Sequence, residues 1–445
     1  MGSYIPGSEK ERRELLKEAG YDSFEDMFSC IPEEVKLSGP LNLPSGKGEM
    51  ETIRKMEELA SKNKVFNKIF RGAGAYNHYI PAIVKSVTSK EEFVTAYTPY
   101  QAEISQGVLQ YIFEFQTMIC ELTGMDVSNA SHYDGATAAA EAIPMCKDRK
   151  RSVAYVSAAI NPAVREVMET YCFGSGTKLV TVPEKDGVTD TEALAELLGN
   201  DPAAACFYVQ QPNFYGNFED AEKMAEIVHG AGAKFVMGVN PISLALMKSP
   251  RECGADIAVG DGQPLGISIA CGGPYVGFMA TTTDMTRKLP GRIVGETTDR
   301  DGRRAYVLTL QAREQHIRRE KASSNICSNQ DLCCLTASVY MAAMGADGMA
   351  EVAGQAMSKA HYLASELENI GFKPLLRGEF FNEFVTDCPV DKDKLFRALE
   401  NHGILGGLDI GEGRILWCAT EMNSKRDIDM LVAIVKAVKE GKEAH

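Results

Sequence analysis

The sequence predicts an α/β protein: a large domain on a mostly parallel sheet, then a smaller α+β domain. Two observations carry this. Between residues 150 and 280, short apolar runs alternate with amphipathic helical segments. Continuous apolar strands separated by helices are the pattern of a parallel sheet covered on both faces. After residue 330 the rhythm changes to one long small-residue helix, then short strands and helices. The chain has 445 residues, enough for two or three domains with a sizeable core. The expected division is a helical arm over 1–85, the large domain over 86–330 and the small domain over 331–445.

The elements follow in order. "EKERRELLKEAG" reads as a helix closed by Gly20, and "SFED" as a capped start at Ser23. "SGPLNLPSGKGE" is a loop, and "SKEEF" reads as a Ser-x-x-Glu capping box opening on Ser89. "GVLQYIFEFQTMICELTG", residues 107–124, is apolar on nearly every side. Such a helix is buried between layers or subunits. Strands are expected at 152–157, 178–182, 205–212, 234–240, 256–262 and 275–280. The last two leave no room for a helix between them, so one pairing should be antiparallel.

Composition excludes several classes. The formal net charge is -14, which opposes nucleic acid and suits a soluble, cytoplasmic protein. No continuous apolar run reaches the length of a membrane span, and "MGSYIPGSEKERRELLKEAG" has no apolar core of a signal peptide. No membrane association is expected. The 12 cysteines are scattered without Cys-x-x-Cys and read as reduced core thiols, the vicinal pair Cys333–Cys334 included. The histidines show no ligand spacing, so no metal site is expected.

Nucleotide motifs fail on context. "RGAGAYNHY" lacks a third glycine at Asn77 and precedes the sheet; no phosphate-loop or nucleophile-elbow sequence is present. Three segments hold more chemistry. In "SHYDGATAAAEAIPMC", Gly135, Ala136 and Thr137 open an alanine-rich helix, whose N–H groups form an anion cradle or a tightly packed helix start. "TAYTPYQAEISQG" offers Tyr97, Thr98, Tyr100 and Gln101 for a wet pocket or a subunit contact. "REQHIRREKASSNICSNQ" carries Arg313, Arg318, Arg319 and Lys321, then Ser323, Ser324 and Asn325. It reads as a solvated basic helix end or as an anion-recognising segment. His78, His132 and His316 each lie beside such a segment, where a lone histidine is more often structural than catalytic.

"YTPYQAEISQG", "ELTGMDVSNASHYDGATAAAEA" and "LQAREQHIRREKASSNIC" together resemble the N-terminal, or alpha, half of glycine dehydrogenase (decarboxylating), the P-protein of the glycine cleavage system. The likeness runs from "YIPGSE" to "CATE". It implies the aspartate-aminotransferase-like fold, fold type I of pyridoxal-phosphate enzymes. In that family the two halves form one chain or two subunits. The beta half carries the cofactor lysine. Together they decarboxylate glycine and pass the aminomethyl group to the lipoyl arm of the H-protein.

The resemblance also exposes departures. A fold type I site needs a lysine for the imine, an acid beside the pyridinium nitrogen and a helix N-terminus for the phosphate. Here "VMGVNP" puts Met237 at the acid's place, and the lysine's place falls at Gln263–Pro264 within "GDGQPLGISIACGGPYVGF". The expectation is a subunit with no catalytic residue of its own. Ser323, Ser324 and Asn325 would reach the partner's pyridoxal phosphate. Tyr97, Thr98, Tyr100 and Gln101 would line the substrate pocket. The implied partners are the beta subunit, the H-protein and glycine, in a heterotetramer. Two alternatives stand beside this: a purely structural scaffold, and an independent enzyme using Lys248 or Lys288.

Overall fold

The computed structural model describes residues 7–37, 39–270, 272–322, 324–376 and 378–442. The chain divides into two compact units, Met1–Val65 and Phe66–His445. In the first unit, Ser8 caps the helix Glu9–Glu18 through a capping box and Ser23 caps Phe24–Met27. A third helix spans Glu49–Ala60. Among the described residues of this unit only Leu16 is buried.

The second unit is organised by a seven-stranded sheet. Its strands are β1 (Val127–Ser128), β2 (Val153–Ser157), β3 (Lys178–Val182), β4 (Ala204–Gln211), β5 (Lys234–Val239), β6 (Ile257–Asp261) and β7 (Gly277–Thr281). The spatial order is β1-β7-β6-β5-β4-β2-β3. β3, β2, β4, β5 and β6 run parallel to their neighbours. The β6–β7 pairing is antiparallel, Gly277 facing Asp261 and Thr281 facing Ile257, as the short connection requires.

Alternate side chains feed two cores. Phe207 and Val209 of β4, with Phe235 and Met237 of β5, face one side. Cys206, Tyr208 and Val236 face the other, against the helices α2 (Gly135–Cys146) and α3 (Pro162–Ser175). The rings of Phe207 and Phe235 stack 6.3 Å apart. Full burial of side chains this size stabilises by about 1.5–3 kcal/mol each. The all-round apolar helix α1 (Gln106–Thr123) ends on Gly124 at φ 71 and divides its residues between two clusters. Phe115 and Ile119 join the sheet core. Leu109 and Ile112 pack near the hairpin β8 (Ile293–Thr298) and β9 (Arg304–Thr309).

The long helix α4 spans Asp331–Asn369 and breaks at Gly345, which sits at φ 62. By length and mean hydropathy it could cross a membrane, contrary to the reading of the apolar runs alone. Part of it is buried by packing. Cys333, Cys334, Ala337, Tyr340, Met349, Val352, Ala353 and Ala356 enter the sheet core, and Ala360, Leu363, Ala364 and Leu367 enter the core of a three-stranded antiparallel sheet. That sheet consists of β10 (Glu383–Asp387), β11 (Leu408–Asp409) and β12 (Arg414–Cys418), with Trp417 fully buried and donating to Thr386 Oγ1 at 2.9 Å. One expected start is corrected. Ser89 does not cap a helix; it terminates Ala82–Thr88 near φ -90, ψ 3, and Glu91–Val94 begins after Lys90 without a side-chain cap. An N-cap needs extended backbone, which Ser89 lacks.

Candidate functional site

Open α/β sheets bind ligands outside the carboxyl ends of their strands. A crevice of about 310 Å³ lies there, lined by the loop Gly72–Tyr76, Asp134 to Ala136, Tyr208, Gly238, Asp261 and Pro264 among others. Its walls are already paired with each other. Asp134 caps α2 by accepting from Thr137 N at 2.7 Å. Gly135 N donates to Asp261 Oδ2 at 2.9 Å, and Gln263 N to Asp261 Oδ1 at 2.8 Å. The expected anion cradle therefore exists, but its anion is the chain's own carboxylate; the first N–H is not free. A Cβ on Gly135 would lie 2.8 Å from Asp261, so glycine is what allows the approach. Burial pushes Asp261 up to about 7, against the pull of these two N–H groups.

The other two requirements of a cofactor site also fail. Met237, expected at the acid's place, is fully buried in the apolar core on the sheet face opposite Tyr208 and does not line the crevice. A thioether there cannot hold a pyridinium proton. Pro264 lines the crevice and cannot form an imine. Gln263 is 2% exposed and clamps the loop opposite: its Oε1 accepts from Tyr76 N at 2.8 Å and its Nε2 donates to Tyr76 O at 3.0 Å. Among the described lining residues there is no lysine. Lys248 pairs with Glu222 at 2.6 Å on the surface, and Lys288 donates to Lys147 O at 3.2 Å. Neither reaches the crevice. The residues present do not fit pyridoxal phosphate.

Below this crevice the loop is held by a buried acid. Glu383 accepts from Ala73 N at 2.6 Å and from Tyr76 Oη at 2.7 Å. Burial raises it to about 7, opposed by both donors. The contact from Glu383 of β10 to residue 73 ties the three-stranded sheet to the crevice rim.

The second region lies on the outside. Glu92 to Gln101, with the start of α1, line a cavity of about 650 Å³. Tyr97 is 83% exposed and Tyr100 50%. Two distant segments meet here. Thr98 Oγ1 lies 3.4 Å from Ser328 Oγ, and the Tyr100 ring stands edge-on to His316 at 6.2 Å. His316 Nδ1 is 3.5 Å from Glu314 Oε2. Gln101 also lines this cavity.

The remaining predicted residues divide. Ser324 and Asn325 line a separate cavity of about 340 Å³ beside α2 and α3, and Ser323 lies outside the described residues. Ser324 Oγ donates to Glu141 Oε1 at 2.9 Å; burial raises Glu141 to about 7. Arg313 is spent on structure, donating to Gly291 O at 3.0 Å and Leu310 O at 3.1 Å. His78 pairs with Glu421 at 2.7 Å. His132 is buried, and desolvation holds it neutral, down to about 3. The vicinal thiols Cys333 and Cys334 are buried. Among the described residues no cluster of His, Cys, Asp or Glu is arranged for a metal.

Sequence reasoning missed Arg292, Glu141 and Glu383. Each stands singly in an apolar or small-residue run ("PGRIVGET", "TAAAEAIP", "FFNEFVTD"), which is the available signal: a lone charge where a core is expected.

A family model described as "Glycine cleavage system P-protein" matches residues 2–435. The chain is 48% identical over 444 residues to a probable glycine dehydrogenase (decarboxylating) subunit 1 of Moorella thermoacetica, covering 98% of this chain and 99% of that one. The counterpart from Carboxydothermus hydrogenoformans is 48% identical over 441 residues, 97% of this chain and 99% of that one. A crystal structure of glycine decarboxylase (P-protein) of the glycine cleavage system, in inhibitor-bound form, superposes with TM-score 0.91 at 42% identity, over 98% of this chain and 100% of that one. An alanine–glyoxylate aminotransferase from Nostoc sp. shares the fold alone, with TM-score 0.60 at 16% identity over 92% of this chain and 98% of that one. The fold is that of fold type I pyridoxal-phosphate enzymes. The chain belongs to the glycine cleavage system P-protein family.

Proposed function

We propose that this chain is the alpha subunit of a heteromeric glycine dehydrogenase (decarboxylating). The name "subunit 1" of its relatives supports a second, beta, subunit. On this reading the beta subunit binds pyridoxal phosphate through its lysine, and the assembly decarboxylates glycine and hands the aminomethyl group to the lipoyl arm of the H-protein in the cytoplasm. This chain supplies a wall. Tyr97, Thr98, Tyr100 and Gln101 face the substrate pocket, and Ser323, Ser324 and Asn325 approach the partner's cofactor. Its own residues bind, orient and exclude water; none forms a bond to substrate.

The observation that carries this is the contrast in the chain's own pockets. In the crevice where the fold would hold a cofactor, Asp261 is already bonded to Gly135 N and Pro264 stands in the lining, with no lysine among the described lining residues, while tyrosines stand exposed on an outer face. Exposed aromatics with free hydroxyls fit a surface completed by another protein. Purified alone, the chain should show no cofactor-imine absorbance and no glycine–bicarbonate exchange; co-expression with the beta subunit should give both. Decarboxylation by the isolated chain would end this reading. A purely structural scaffold is the rival. Replacing Ser323, Ser324 and Tyr97 together in the assembled complex separates the two, since a scaffold would keep full activity and cofactor affinity.

A further inference from the structure

Arg292 immediately precedes β8 and is 1% exposed. A guanidinium this deep must be matched by charge, hydrogen bonds or an aromatic face. Its partners come from three stretches far apart in sequence. Its Cζ lies 5.2 Å from the ring centroid of Tyr100. Its Nη1 donates to Asn329 Oδ1 at 3.3 Å. Its Nε is 3.9 Å from Glu314 Oε2, both side chains nearly dry. The backbone around it is held as well: Ala130 N donates to Arg292 O at 2.8 Å, and Arg313 holds the carbonyl of Gly291. The segment between Glu314 and Asn329 carries a left-handed non-glycine residue, Arg319 at φ 55, and Leu310 at φ 51 precedes it. Backbone in that region persists only when its surroundings over-determine it.

We infer that Arg292 is a positioning residue for the wall: one buried guanidinium fixes Tyr100 and both ends of the Glu314–Asn329 segment against each other. The inference rests on the reading of Tyr97–Gln101 as a wall of the working site. Arginine suits the task where lysine does not. Its planar cation lies over the tyrosine ring while one N–H donates to Asn329 and its charge faces the Glu314 carboxylate at ion-pair distance. Tyr100 remains half exposed, so the anchor works from beneath and leaves the hydroxyl free.

The test uses the assembled alpha–beta complex. Arg292→Met and Arg292→Lys are compared with Tyr100→Leu for KM and kcat with glycine, cofactor affinity, and amide hydrogen exchange over residues 95–105 and 313–330. Arg292→Met should raise the KM for glycine about tenfold or more and speed exchange in both segments. Arg292→Lys should fall between it and the wild type. A third variant, Arg292→Ala, should be partly restored by added guanidinium while Tyr100→Leu stays unrepaired, which a general loss of stability would not do. If Tyr100→Leu cripples kcat/KM while both Arg292 variants keep wild-type KM, the positioning role is wrong and the wall stands. If Tyr100→Leu itself changes nothing, the wall reading fails, and this inference with it. Should Arg292→Met not fold, Arg292→Lys and guanidinium rescue decide the same question.

Discussion

The crevice at the strand ends and the wall around Tyr100 are made of different material. In the crevice, carboxyls meet backbone N–H groups of the same chain: Asp261 on Gly135, Asp134 on Thr137, Glu383 on Ala73. Glycines there have no room; a Cβ on Gly238 would lie 2.1 Å from the Tyr208 hydroxyl. In the wall, tyrosine rings are open, and a Cβ on Gly107 of α1 would meet nothing within 4 Å. One region is closed on itself. The other leaves amphipathic surface unspent. At the strand ends the polar groups are largely paired within the chain, whereas Tyr97 and Tyr100 keep exposed rings.

This contrast can be broken by experiment. The largest effect should come from the wall. Tyr100→Leu in the complex is expected to lower kcat/KM for glycine by roughly 10- to 100-fold, whereas Tyr208→Phe in the crevice should change it less than about twofold. The reverse ranking would make the crevice the working site. Next comes pH. Glu383 has an ordinary value of 4.5 and sits near 7 when folded, so the folded chain holds its proton more tightly. Its stabilisation is complete below the unfolded value, declines as pH rises towards 7, and is level above. The span is on the order of 3 kcal/mol. Denaturant titrations at several pH values should show that slope in the wild type and a flatter one in Glu383→Gln.

Smaller effects probe packing. Gly238→Ala should cost about 1–3 kcal/mol through the clash with Tyr208, and a Tyr208→Phe background should return part of it. Thermal melting of the two variants measures this. Gly107→Ala should raise the stability of the isolated chain by up to about 1 kcal/mol, since the added methyl meets no atom and helix propensity improves. A loss there would show that the wall is as tightly packed as the crevice.

Much of the fold was legible in advance. Each apolar run between 152 and 280 became a strand, because continuous burial on both faces leaves little freedom to alternate. The crowded end of that run forced the antiparallel β6–β7 pair. Ser89 misled because the Ser-x-x-Glu pattern is shared by helix starts and by helices about to end. The site was legible in part. Thr98 and Tyr100 do meet the segment after Arg313, yet Ser324 turns to Glu141, a contact across 183 residues that no local pattern encodes. Arg292 was invisible for the same reason: its meaning lies in three partners from three segments.

Composition, periodicity and motif therefore determined the sheet, the family and the absence of an imine-forming lysine at residues 263–264, since each is written in neighbouring residues. Only the tertiary structure decided that Asp261 meets the first N–H of α2 and that Arg292 is brought against Tyr100, Asn329 and Glu314. Both depend on charges buried far from their sequence neighbours. A buried charge is defined by what folding brings against it.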